Sequence, residues 1–436
     1  MHVDRKSKGA CLALVSAAAI VPCLLGAGAV AEARSFDTVT VRGTKMVSQD
    51  QVRAACDIAP GTDYSDEDLH RIETCLTGSG VFTAARVSAE GKTLVVDVTE
   101  KPLRPGRVSF GIAYDSDDGI VGSVFFERYN LFPNTYGSID MRLGAESQSL
   151  ATTAYYSGDT PGRLDFGLDA GFLNTTYDDQ SFDHRVARVE GYLAHVDPAF
   201  GRFEGGLGYR RDSLDNVDAD ASALIRAEEG SVVRPYTRFS YSVHSDQSVS
   251  TLTAPAYEIR FDQYFWNIGD EHALADSRVS MQSSFPLAAD TLLMLSFQGG
   301  ALTRQGSAST RIVDRYQLGG AMFRGFSPRG IGPKDGGDFL GGNYFSVSSI
   351  DVQRSVGEVF HTPTRIGAFA SAGSVWGLND TLGGAIDDGE KLRSAVGVSV
   401  TFDVHGAPLS LYLAKATEKE KGDDTQSFGL SFSARF

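Results

Sequence analysis

Cysteine is scarce in this 436-residue chain: four in all, of which only Cys56 and Cys75 lie outside the amino-terminal apolar run. Two cysteines without histidine partners at ligand spacing exclude a zinc site. In an oxidising compartment the pair can join as a disulfide, worth roughly 3 kcal/mol for a loop of that size; two buried thiols are the alternative. Basic residues are in deficit, 40 against 55 acids for a formal net charge of −15. That balance excludes a general nucleic-acid binder, because phosphate contacts need clustered Lys and Arg. The chain has no Gly-x-Ser-x-Gly elbow, phosphate loop or His-Glu-x-x-His pair, and its eight histidines are scattered. Nothing therefore points to an enzyme, a metal or a cofactor. Beyond residue 33 there is also no apolar run of the roughly 18 residues that a membrane helix requires.

What is present begins with residues 1–33, which read as an export signal. Arg5, Lys6 and Lys8 precede an apolar run, Ala10 to Val30, and Ala31-Glu32-Ala33 supplies small residues for a peptidase. Cleavage is expected before Arg34, placing the mature chain in a periplasm. Cys23 invites a lipoprotein reading, but the preceding "IVP" lacks the usual leucine and small residues.

Residues 36–102 have the pattern of a small α+β domain. "FDTVTVRG" alternates as a strand; Ser48 and Gln51 can cap one helix; a second follows Ser65 with Leu69, Ile72 and Leu76 on one face. "VFTAARVSAEGKTLVVDVTE" reads as a hairpin. This strand-helix-helix-strand-strand order, with Gly43, "APGTDYSDEDL", "GSGVF" and "VDVTEKP", resembles a POTRA domain. The resemblance implies a periplasmic unit that takes client strands on a sheet edge.

From 103 to 436 the texture changes. In "SIDMRLGAES" Ile139, Met141 and Leu143 oppose Asp140, Arg142 and Gly144; in "LDFGLDAGF" Leu164, Phe166 and Leu168 oppose Asp165 and Asp169. Charges facing a packed core would be costly, so a soluble sandwich or β-helix fits poorly. Charges facing a watery lumen and apolar residues facing lipid fit a transmembrane antiparallel β-barrel. Short links ("LFPN", "SGDTPG", "HVDPAFG", "PLAAD", "VHGAP") alternate with long polar ones. They predict about 16 strands, eleven before the long 304–340 connection and five after it, although 220–245 can be divided in more than one way. The final strand, with Gly429, Phe432 and the terminal Phe436, is similar to a barrel-assembly signal.

The 304–340 connection holds "LGG", Phe323-Arg324-Gly325-Phe326 and Gly332-Pro333, with Gly341-Gly342-Asn343 just after it. Together these resemble the signature of the BamA/TamA superfamily of outer-membrane insertases and translocases. The resemblance implies a loop folded back into the lumen, its arginine held by acids on the next strands. Asp351 matches the first acid; Ser371 stands where the family usually has the second, which predicts weaker anchoring or another acid. An arginine solvated in the lumen is the plain alternative. It also implies an outer-membrane location, client β-barrels or secreted proteins as partners, a periplasmic or inner-membrane partner, and a weak seam near 106–115 and 426–436 that opens laterally. A dedicated secretion pore and a passive channel are the competing functions. The former usually has two POTRA domains and a plug helix, while here only Arg34 and Ser35 precede the domain.

Overall fold

The computed structural model describes residues 34–44, 47–79, 81–101, 106–116, 118–157, 164–197, 200–245, 254–268, 270, 272–305, 309–404 and 407–435. The chain divides into two compact units, one ending at Lys101 and the other beginning at Pro102. The expected export signal and the terminal Phe436 lie outside the described residues.

The amino-terminal unit runs β1 (Thr38–Arg42), α1 (Gln49–Ala55), α2 (Asp66–Gly78), β2 (Phe82–Glu90) and β3 (Thr93–Glu100). Its sheet order is β1-β3-β2, with β1 parallel and β2 antiparallel to the central strand. The helices start where local chemistry allows. Ser48 Oγ accepts from Gln51 N while Gln51 Oε1 accepts from Ser48 N, and Ser65 with Asp68 repeats the reciprocal cap. Val52, Ile72 and Leu76 from the helices bury against Phe36, Leu94 and Val96. Cys56, just after α1, is disulfide-bonded to Cys75 on α2, with Cα atoms 6.0 Å apart. A core this small is marginal, and the staple adds to its stability. Cys75→Ser is expected to lower this unit's stability by about 3 kcal/mol, read as loss of amide-exchange protection in α1 and α2 while barrel amides stay protected.

The second unit is a closed barrel of sixteen antiparallel strands, β4 (Gly106–Asp115) to β19 (Phe428–Arg435), each bonded to its neighbours in chain order. Eleven strands precede the long connection and five follow it, and 220–245 resolves into a short helix, α3 (Ala223–Ala227), and β11 (Gly230–His244). The two-residue period sorts the side chains. Ile139, Met141 and Leu143 are exposed on the outer face, while Asp140 and Arg142 turn inward and pair.

The inner wall is uneven. On β9 (Asp183–Asp197), β10 (Gly201–Asp215) and β11 it carries an ionic ladder in which Arg238 meets Glu190 at 2.6 Å and Glu204 at 2.8 Å. On β15 (Tyr344–Val359), β16 (Thr362–Trp376), β17 (Arg393–Val404) and β18 (Ala407–Glu418) it carries small residues, Ser349, Ser371, Gly397, Ser399 and Ser410, around Asp351, Phe369 and Tyr412. The long-loop end is covered by a second apolar cluster of Phe182, Leu214, Ile225, Ile312, Leu340 and Ile386. Closure is weakest at the last strand. The β10–β11 register runs from Arg202↔Ser242 to Leu214↔Gly230, whereas among the described residues β19 pairs with β4 from Phe432↔Tyr114 to Arg435↔Gly111.

Candidate functional site: the lumenal plug and the seam

The segment between β14 (Thr291–Arg304) and β15 is packed inside the barrel, because its apolar residues find a core there. Leu318, Phe323, Phe326 and Ile331 are fully buried with Trp266, Leu302, Val347, Val375 and Ala395 of the wall. The Phe323 and Phe326 rings lie 4.7 Å apart, and Gly320 N donates to Phe326 O at 3.0 Å, closing the turn between them. Gly325 has φ +109°, and a Cβ there would stand 2.6 Å from the Ala395 Cβ; any side chain would lift the motif off β17. Gly332 packs on Val375, and Pro333 O accepts from Leu340 N at 2.9 Å.

Arg324 projects from this turn toward the wall formed by β15 and β16. Its Nη2 donates to Asp351 Oδ2 at 3.0 Å, and its guanidinium lies 3.5 Å from the centroid of the Phe369 ring. Asp351 is buried, so a charge-assisted bond and a cation–π contact act together in a partly desolvated place. Ser371 is buried and lines the same cavity of about 420 Å³ as Arg324 and Asp351. Among the described residues no hydrogen bond joins Ser371 to Arg324. The second contact is aromatic, from Phe369, a residue the sequence reading missed.

Phe369 begins a chain of ring contacts to the last strand. It lies over Gly397, its register partner on β17, and meets Tyr412 edge-on at 6.2 Å. Tyr412 covers Gly429, its partner on β19; a Cβ at Gly429 would fall 2.2 Å from that ring. Gly429 thus has a packing reason of its own, and Phe432 holds the outer face of the seam opposite Tyr114. Glycines at alternate positions opposite aromatic residues are the signal that could have disclosed this chain of contacts. The plug also bonds the segment feeding β19: Ser327 N donates to Asp424 O at 3.0 Å, Asp424 N to Gly330 O at 2.8 Å and Gln426 N to Gly325 O at 3.2 Å. Arg393 grips Asp423 beside it through two bonds of 3.0 Å, with both side chains buried.

Comparison with known proteins agrees with this architecture. The model of the Omp85 superfamily domain matches residues 134–436. The outer membrane protein assembly factor BamA of Neorickettsia risticii is 25% identical over 357 residues, 78% of this chain and 47% of that protein. The human sorting and assembly machinery component 50 homolog is 34% identical over 177 residues, 38% of this chain and 37% of that one. The chain thus spans about half the length, or less, of these curated relatives. Among solved structures, BamA from Haemophilus ducreyi lacking POTRA domains 1–3 superposes with TM-score 0.74 at 15% identity, covering 92% of this chain and 84% of that one. CdiB from Acinetobacter baumannii gives 0.57 at 14% identity, covering 92% and 74%. At these identities the structural likeness is one of fold. With a closed sixteen-stranded barrel, a glycine-rich plug and a family match over most of its length, the chain belongs to the Omp85 superfamily of outer-membrane β-barrels.

Proposed function

We propose that this protein assists the insertion or export of β-rich client proteins at the outer membrane. Client strands are captured on an edge of the amino-terminal sheet, read here as a POTRA domain, and passed to strand edges exposed when the β4–β19 seam parts. The observation that carries this reading is the short seam. Among the described residues four of β19, Phe432 to Arg435, pair with β4, and the Leu430 N–H beyond them is met by a side chain, Ser116 Oγ, at 3.3 Å. Parting so short a ladder exposes two unpaired edges at small cost, and unpaired edges are templates for another strand. A passive channel is the poorer fit, because the plug packs on the inner wall and an apolar loop cluster covers one end of the barrel.

The relatives named as assembly factors support the same role. The test is folding of a denatured outer-membrane barrel into liposomes with and without the purified protein. Acceleration of about tenfold or more is expected, with most of it lost on deleting 36–102. A protein that speeds no client, while conducting ions with or without that domain, would be a pore.

A further inference from the structure

One turn of the plug, residues 325–330, is bonded to both sides of the seam. On the β19 side the bonds are between backbones: Ser327 and Gly330 exchange them with Asp424, and Gly325 O accepts from Gln426 N. On the β4 side the contact is made by Arg329. Its Nη2 donates to Asp179 Oδ1 at 2.8 Å, and its guanidinium lies 3.8 Å from the centroid of the Tyr177 ring. Both partners belong to the link between β8 (Asp165–Thr175) and β9. The Tyr177 hydroxyl in turn donates to Asp118 Oδ1 at 2.9 Å, on the link between β4 and β5 (Gly119–Tyr129). Asp118 stands two positions from Ser116, whose Oγ meets the Leu430 N–H just beyond the short ladder.

Two features set Arg329 apart from a surface arginine in a chance ion pair. Its side chain is 14% exposed, so the guanidinium lies on the Tyr177 face in a partly desolvated place, where such a contact gains most. Asp179 is about half exposed; an ion pair of that kind contributes little by itself, and the ring carries the larger share. The Arg329 backbone is also held at φ +57°, a left-handed conformation unfavourable for any residue with a Cβ and free of strain for glycine. A strained backbone that places one side chain on two partners is a local conflict of the kind found at switch regions.

We propose that Arg329 is a latch on the seam, a positioning residue distinct from the Arg324 anchor. Arg324 fixes the plug to the wall of β15 and β16, whereas Arg329 joins the plug to the β4 side while the backbone bonds at Asp424 and Gln426 join it to the β19 side. The two edges are thus held together at the long-loop end through the plug, where the ladder between them is short. A client segment that lifts this turn breaks both ties at once, which couples client entry to parting of the seam. This regulation rests on the client-handling reading above.

The test is hydrogen exchange, read by mass spectrometry, on the full-length protein in detergent. Arg329→Ala is expected to speed exchange about tenfold in peptides covering 111–116 and 428–435, while the β10–β11 ladder keeps its parental rate. Tyr177→Phe keeps the ring beneath the guanidinium and removes only the hydroxyl, so exchange at 111–116 should rise severalfold. Combined with Arg329→Ala it should add little, because both act through one chain of contacts. Arg354→Ala breaks a pair with Asp290 of similar length, 2.9 Å, at the short-link end and should leave both segments unchanged. Faster exchange confined to 318–333, or fully additive effects of the two substitutions, would show a residue that merely steadies the plug and would overturn the latch. Client folding is followed on the same preparations and is expected to quicken with seam exchange. Faster exchange with unchanged client folding keeps the latch and sinks the client reading of the seam; unchanged exchange at both segments sinks the latch alone, whatever the client rate.

Discussion

Arg324→Ala is expected to loosen the plug by about 3–5 kcal/mol, because it removes one partner of a buried ion pair and leaves the other charge uncompensated. Asp351 is buried, and among the described residues its Oδ1 has no hydrogen-bond partner, so the carboxylate depends on the guanidinium at Oδ2. The contact with Phe369 disappears in the same substitution. Limited proteolysis should then cut between 305 and 343 under conditions that leave the parent protein whole, and client folding should slow severalfold. Two further variants separate the contributions. Arg324→Lys keeps the charge but cannot lay a planar group on the ring, so an intermediate effect is expected. Phe369→Leu removes only the ring and should cost about 1–2 kcal/mol. An Arg324→Ala protein with parental digestion and parental activity would reject the anchoring role.

The second large effect is expected at the seam. Tyr114 and Phe432 are register partners across β4 and β19, close enough in an antiparallel pair for cysteines at both positions to be bridged by oxidation or a short crosslinker. With the bridge closed, client folding should fall to the rate of liposomes alone and recover on reduction. The same pair of cysteines placed at Arg211 and Val233, partners in the long β10–β11 ladder whose side chains are exposed, should change little when oxidised. Full activity with the Tyr114–Phe432 bridge closed would exclude lateral opening and return the function to transport through the lumen.

Much of this was legible in the residues. Alternation with a period of two is a local property. The run from Ile139 to Leu143 therefore announced an outer face of lipid and an inner face of water before any strand was paired. Link lengths set strand number and the place of the long loop in the same local way. The motif around Arg324 was legible because glycines and aromatics in a polar loop contradict the pattern of an exposed link. Phe369 was not. It stands in the middle of "IGAFASAG" as one more inward residue, and its contact with Arg324 exists only because β16 lies beneath the returning plug. Ser371, where the resemblance implied an acid, suggested weaker anchoring or another acid, whereas in the structure the second contact of Arg324 is the Phe369 ring.

By itself, then, the sequence determined a two-sided strand repeat, a barrel rather than a helical membrane protein, and a loop built to be buried. Each follows from side-chain chemistry over a few neighbouring positions. Only the tertiary structure decided how β19 meets β4 and which ring supports Arg324. Those depend on register, and a shift of one residue along a strand moves every side chain to the other face. The choice among registers is made by closing all sixteen strands around the plug, a constraint that no single segment carries.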